Sequence, residues 1–79
     1  MNNLNLQLGP MLFSGSFFVH NEAAQYRSYR VKDELGRIVW SWMLAPGTYR
    51  GVDTSSWSDG LYTVYAEGEE EAARVLRKG

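Results

Sequence analysis

The sequence predicts an all-β fold, a single domain over residues 1–79 built from about seven short strands, and three observations carry that reading. Short segments rich in Val, Ile, Tyr, Phe, Trp and Thr alternate apolar with polar residues, the period of a half-buried strand. Gly, Pro, Asn and Asp stand between those segments at short intervals, where chain reversals need them. The chain is 44% hydrophobic and 14% aromatic with no cysteine; that is enough apolar matter for a packed core, and packing has no disulfide to assist it. A chain of 79 residues buries only about 60% of the surface its unfolded form exposes, so modest stability is expected. Many short strands separated by turns point to a β-sandwich or a small barrel.

Taken in order, Leu4, Leu6 and Leu8 alternate with Asn5 and Gln7 and predict a short edge strand that Gly9-Pro10 interrupts. Residues 12–20 carry Leu12, Phe13, Phe17, Phe18 and Val19 around Ser14-Gly15-Ser16, a strand whose glycine permits a bulge or bend. Asn21-Glu22-Ala23-Ala24 makes a polar connection. From Tyr26 to Asp33, Tyr29 and Val31 alternate with Arg30 and Lys32, a half-solvated strand. Leu35-Gly36 turns the chain back into a strand from Arg37 to about Leu44, and Ala45-Pro46-Gly47-Thr48 ends it. Tyr49–Asp53 and Leu61–Glu67 read as further strands, with a loop over Thr54–Asp59. Glu69–Lys78 is rich in helix formers, so propensity favours helix there, while Ala73, Val75 and Arg77 alternate with Ala72, Arg74 and Leu76 as in a closing strand.

Several chemistries find no support. The formal charge of −1 gives no general attraction to nucleic acid or to an anionic membrane. Tyr26, Arg27, Tyr29 and Arg30 interleave aromatic and basic groups as a single-strand binder would, against that net acidity. No apolar run approaches the roughly 18 residues of a membrane span, so no membrane insertion is expected. No Lys or Arg precedes Arg27 to make the basic start of a signal peptide, so an exported parent would have its leader elsewhere. One histidine, His20, and no thiol leave no nucleophile with a base in reach, and no enzyme is expected. His20 reads as a strand-end surface residue and not a metal ligand. Glu67, Glu69, Glu70 and Glu71 lack the spacing of a calcium loop and read as a solvated turn. No metal and no cofactor are expected.

Three segments in order, Phe13-Ser14-Gly15-Ser16-Phe17, Asp33-Glu34-Leu35-Gly36-Arg37-Ile38-Val39 and Trp57-Ser58-Asp59-Gly60-Leu61-Tyr62, lead to a basic and apolar close, Arg74-Val75-Leu76-Arg77-Lys78. From Pro10 to Lys78 the chain thereby resembles the C-terminal sorting domains of the type IX (Por) secretion system of Bacteroidota. Those domains carry a Phe-Ser-Gly-like first strand, an Asp-x-x-Gly-Arg-x-Val turn, a Leu-x-x-Gly-x-Tyr strand and a basic last strand. The chain departs from the pattern in opening with Gly9-Pro10-Met11 where Pro-Asn-Pro is usual, and in placing Trp57 where an aliphatic residue is common.

The resemblance implies an immunoglobulin-like antiparallel β-sandwich, with the tail as its closing strand. It also implies a module recognised by components of the outer-membrane secretion translocon. Such a module carries an attached cargo domain, normally N-terminal to it, from the periplasm across the outer membrane to the cell surface or medium. A chain that starts at Met1 without cargo would be an excised domain, an incomplete product or a stand-alone copy of the fold. The residues the resemblance assigns to recognition are Asp33, Gly36, Arg37, Gly60, Tyr62, Arg74, Arg77 and Lys78, and the last strand at a sheet edge would be captured by β-augmentation.

Each of these residues also has a purely architectural reading. Gly36 and Gly60 serve turns; Asp33 accepts backbone N–H bonds there, or pairs with Arg37; Tyr62 is a core aromatic with its hydroxyl at the rim.

The tryptophans divide the two lines of reasoning. Alternation after Arg37 puts Ile38, Trp40, Trp42 and Leu44 on one face and Val39, Ser41 and Met43 on the other. Hydrophobicity buries the first set; the resemblance buries Val39 and turns Trp40 and Trp42 outward as a contact surface. A domain this small needs the apolar area, which favours the buried arrangement. An outward pair would suit the alternative function, a sandwich that binds a protein or glycan through exposed aromatics, or self-associates as a homodimer.

Overall fold

A computed structural model describes residues 11–79; the strand expected from Leu4, Leu6 and Leu8 lies outside the described residues. Seven strands form an immunoglobulin-like β-sandwich: β1 (Met11–Phe13), β2 (Ser16–His20), β3 (Arg27–Lys32), β4 (Ile38–Leu44), β5 (Tyr49–Asp53), β6 (Gly60–Ala66) and β7 (Arg74–Lys78). One sheet has five strands in the order β1-β7-β6-β3-β4, and the other pairs β2 with β5. The tail is a strand, as the resemblance implies, and its helix formers make only a single 3-10 turn over Glu70–Ala72. Tertiary pairing outweighs propensity there, because β7 lies between two strands.

Two features differ from the expectations. The single strand foreseen over residues 12–20 is two, and the bend at Ser14-Gly15 carries the chain from one sheet to the other. One ladder is parallel: Met11, Leu12 and Phe13 run alongside Leu76, Arg77 and Lys78. The outermost strand on that side is therefore β1, and β7 is flanked by β6 and β1. The basic last strand is not a sheet edge along its whole length, which corrects the expected mode of its capture.

The β3–β4 hairpin shows how the local sequence dictates geometry. Gly36 N donates to Asp33 O (3.0 Å) and Asp33 N to Arg37 O (2.9 Å), closing a tight loop. Gly36 sits at φ +82°, the left-handed position such loops reserve for glycine. A bulge between Val31 and Lys32 then shifts the register, leaving a regular ladder from Val31↔Trp40 to Arg27↔Leu44.

The core gathers Val19, Tyr29, Leu44, Val52 and Ala66, with Phe17, Trp40, Trp57 and Val64 packed against it. Asn21 ties the loops over this core. It is fully buried; its Nδ2 donates to the carbonyls of Gln25 (2.9 Å), Leu44 (3.0 Å) and Ala45 (3.3 Å). Its Oδ1 accepts from Ala23 N (3.0 Å) and the Tyr29 hydroxyl (3.3 Å).

The tryptophan expectation is half met. Opposite Tyr29 and Val31 in register, Trp42 and Trp40 share their inward face, and Trp40 packs on the core. Trp42, however, is 48% exposed. The second sheet has only two strands, and what reaches Trp42 from it is the Arg50 guanidinium, 3.9 Å from the ring centroid. Val39 is itself exposed, so the register drawn from the resemblance, which buries it, is not adopted. Trp42→Ala should accordingly cost about 2 kcal/mol, the worth of partial burial with a cation–π contact and less than the loss of a fully buried ring. A loss of several kcal/mol in chemical unfolding would contradict the half-exposed placement.

Candidate functional site

Seven of the eight residues assigned to recognition converge at one end of the five-stranded sheet. The antiparallel ladders bring the end of β3, the start of β4, the start of β6 and the end of β7 to the same rim, with Gly60 opposite Lys78 and Leu61 opposite Arg77. Asp33, Gly36 and Arg37 form the turn above it, and the Glu34 carboxylate lies over Gly60: a Cβ on that glycine would stand 2.8 Å from Glu34 Oε1. Gly60 also holds φ +149°, a conformation that a side chain strains. Arg74 pairs with Val64 at the opposite end of β7 and does not join the cluster.

Asp33 organises the turn. Its Oδ1 accepts from Leu35 N and Arg37 N, both at 2.9 Å, while Arg37 Nε donates to Oδ2 at 2.8 Å. The two architectural readings of Asp33 are thus both realised. The Arg37 amide foremost, then the Arg37 side chain and the Leu35 amide, hold the Asp33 carboxyl below its ordinary pKa. Because the folded value is depressed, the ionised carboxylate stabilises the turn above about pH 4, the unfolded aspartate range. That contribution disappears as pH falls through the folded value. Asp33→Asn should lower the melting temperature at pH 7, and the gap to the intact chain should close on acidification; a gap constant from pH 7 to pH 3 would refute this role.

Arg37 itself projects, with a side chain 71% exposed against 12% for Asp33.

Tyr62, which the resemblance assigns to recognition, takes the place its architectural reading expects, as a core aromatic. It is 5% exposed, and its hydroxyl donates to Ser58 O, four residues upstream, at 2.5 Å. This is the tyrosine corner of immunoglobulin-like sandwiches, at the start of a strand leaving the inter-sheet crossing. Burial foremost, then the nearby Asp33, Glu34 and Asp59 charges, raises its pKa above the ordinary tyrosine value, so the hydroxyl keeps its proton and remains a donor. The ring packs on Trp57 at 4.7 Å and on Phe13 at 6.3 Å between centroids. Trp57 thus occupies its aliphatic position as a core aromatic.

Lys78 likewise makes contacts within the fold. Alternation along β7 turns Arg77 to the outer face and Lys78 toward the second sheet. There its ammonium donates to Thr54 O (2.6 Å) and Trp57 O (2.7 Å), fastening the β5–β6 loop. Of the assigned residues, Arg37 and Arg77 are the exposed cations left at this rim. The sequence reading missed Glu34 and Asp59, whose carboxylates join them there; their neighbourhood follows from strand register, which no local pattern signals.

The interleaved Tyr26, Arg27, Tyr29 and Arg30 do not form a stacking platform. Tyr29 is buried, Arg27 pairs with Glu69 at 2.7 Å and Arg30 with Glu67 at 3.4 Å. Those glutamates lie in the turn region expected of them and serve as partners for β3. His20 ends β2, stacked on Tyr49 at 3.9 Å and 3.5 Å from Glu22. Among the described residues no group of three or more His, Cys, Asp or Glu side chains is arranged to hold a metal ion. No helix among them is long and apolar enough to cross a membrane. Compared with protein-family models, with curated proteins and with solved structures, the chain finds no match.

Proposed function

We propose that this sandwich is a sorting and anchoring module, recognised as a folded shape by an outer-membrane secretion translocon and carrying an attached cargo to the cell surface. The observation that carries the reading is the convergence of sequence-distant motif residues on one rim. Asp33, Gly36 and Arg37 shape a turn whose Glu34 reaches over Gly60 of β6, and Arg77 of β7 lies opposite the neighbouring Leu61, although the three segments lie far apart in the chain. Glycines at the turn and at Gly60 keep the rim compact, and Asp33 presets the turn. Arg37 and Arg77 then stand out as cations for a partner surface of opposite charge, where such contacts steer encounter and fix orientation. Tyr62 and Lys78 hold the shape from beneath. Arg74 falls outside this surface and is not needed by it.

The test is export of a reporter fused ahead of the chain behind a periplasmic leader, in a host with the type IX system. The doubly substituted chain Arg37→Gln with Arg77→Gln should remain cooperatively folded, losing at most about 2 kcal/mol, since the Arg37–Asp33 pair and the other exposed charge contribute only about 0–1 kcal/mol each. Export should be lost. A folded double variant exported as well as the intact fusion would overturn the reading.

A further inference from the structure

The outer edge of β4 is an unpaired strand of unusual composition. Among the described residues β4 pairs with β3 alone, and its seven residues, Ile38-Val39-Trp40-Ser41-Trp42-Met43-Leu44, include no charge, proline or glycine. Two of the other outer strands are blunted, β1 by having only three residues and β5 by carrying Arg50 and Asp53; β2 is shorter than β4, five residues ending at His20. Sheet edges are protected in those ways because an exposed apolar edge pairs with another chain. On β4 the one such device, the bulge, lies before Trp40 and leaves Trp40–Leu44 regular.

The hydrogen-bond parity of that stretch is fixed from both sides of β3. Asp33 N donates to Arg37 O across the hairpin, while Glu67 N donates to Ser28 O across the β6 side. Main-chain groups of Arg27, Tyr29 and Val31 therefore point to β4, and those of their partners Leu44, Trp42 and Trp40 point back. The N–H and C=O groups of Ser41 and Met43 face outward from the sheet.

We propose that this edge pairs with the same edge of a second copy of the chain, antiparallel about a twofold axis through Trp42. A twofold interface requires that residue i meet j and j meet i, and Trp40–Leu44 satisfies this. Ser41 exchanges both main-chain bonds with Met43 of the second copy, and Met43 with its Ser41. Trp42 meets Trp42 in the non-hydrogen-bonded site, where opposed side chains approach most closely. Trp40 faces Leu44 at each end.

A second copy is the fitting occupant because the strand has no charge to select an oppositely charged partner and none to repel itself. The pairing also accounts for two large apolar side chains left in water, Trp42 at 48% and Met43 at 60% exposure. Five residues a side bury less than a standard interface of about 1,200 Å² or more, so the association is weak and concentration-dependent. It stands apart from the export reading, since the β4 edge is not the Arg37–Arg77 surface.

Sedimentation velocity from micromolar to millimolar protein decides it. The weight-average mass of the intact chain should rise from one copy toward two. Ser41→Pro removes an outward N–H and spares the β3 ladder, so it should weaken association by about tenfold or more. Because proline can disturb folding, a charge pair provides the second arm. Ser41→Lys with Met43→Lys, and Ser41→Glu with Met43→Glu, should each stay monomeric alone and associate when mixed. A monomeric intact chain throughout the range, association unweakened in these variants, or a mixture that stays monomeric would overturn the proposal.

Discussion

Asn21→Ala should destabilise the domain by about 3 kcal/mol, near the upper range for a single side chain. The amide has five polar contacts within the protein: three carbonyls accept from Nδ2, and Ala23 N and the Tyr29 hydroxyl donate to Oδ1. Removing it leaves those groups facing an apolar methyl in a site with no exposure, and a buried unsatisfied donor or acceptor costs about 1–3 kcal/mol. The loss is not confined to one loop. Asn21 N also donates to Thr48 O and Gly47 N to Asn21 O, so the side chain anchors a junction between the β2–β3 and β4–β5 connections. A chain of this length has a total stability on the order of 4–12 kcal/mol, so the variant should be partly unfolded near physiological temperature. Denaturant unfolding should show a lower midpoint with an unchanged slope; a shift worth less than 1 kcal/mol would mean the network relaxes around the gap.

Tyr62→Ala should cost about 3–5 kcal/mol, the range for deleting a buried aromatic ring, while Tyr62→Phe should cost about 1 kcal/mol for the hydroxyl bond alone. The two substitutions separate the ring, packed between Phe13 and Trp57, from the bond to Ser58 O. Paired urea titrations check the ratio. If Tyr62→Phe were as damaging as Tyr62→Ala, the corner bond would outweigh the packing of the ring, and the expected order of the two contributions would be reversed.

Local chemistry explains what was legible in the sequence. The strands around Arg30, Trp42, Arg50 and Thr63 follow from alternation, and the Asp33–Arg37 turn from a carboxylate four residues before an arginine with glycine between. All of these are set within a few residues. The sheet switch at Gly15, the parallel β1–β7 ladder and the carbonyl partners of Lys78 depend on segments dozens of residues away, which no periodicity encodes. Trp42 shows the boundary between the two. Alternation gives the face on which it lies, but whether that face is covered depends on how many strands the opposite sheet contributes. Asn21 read as an ordinary polar residue of a connection, because its role exists only once Leu44 and Ala45 arrive beside it. Among the residues that the resemblance assigns to recognition, the turn was legible for the same local reason; the placing of Gly60 and Arg77 at the same rim was a matter of register.

The parallel ladder also has a consequence in time. Met11 pairs with Leu76, its partner 65 positions along (76 − 11), and among the described residues β1 has no other partner in its sheet. The entropy of closing so long a loop must be met before that contact returns anything, whereas the β3–β4 hairpin closes over a handful of residues. On a ribosome or emerging from a pore N-terminus first, β1 would therefore be among the earliest segments to appear and the latest to dock. Until β7 arrives it has no sheet to join, so completion of this sandwich reports that the chain has passed through to its closing strand.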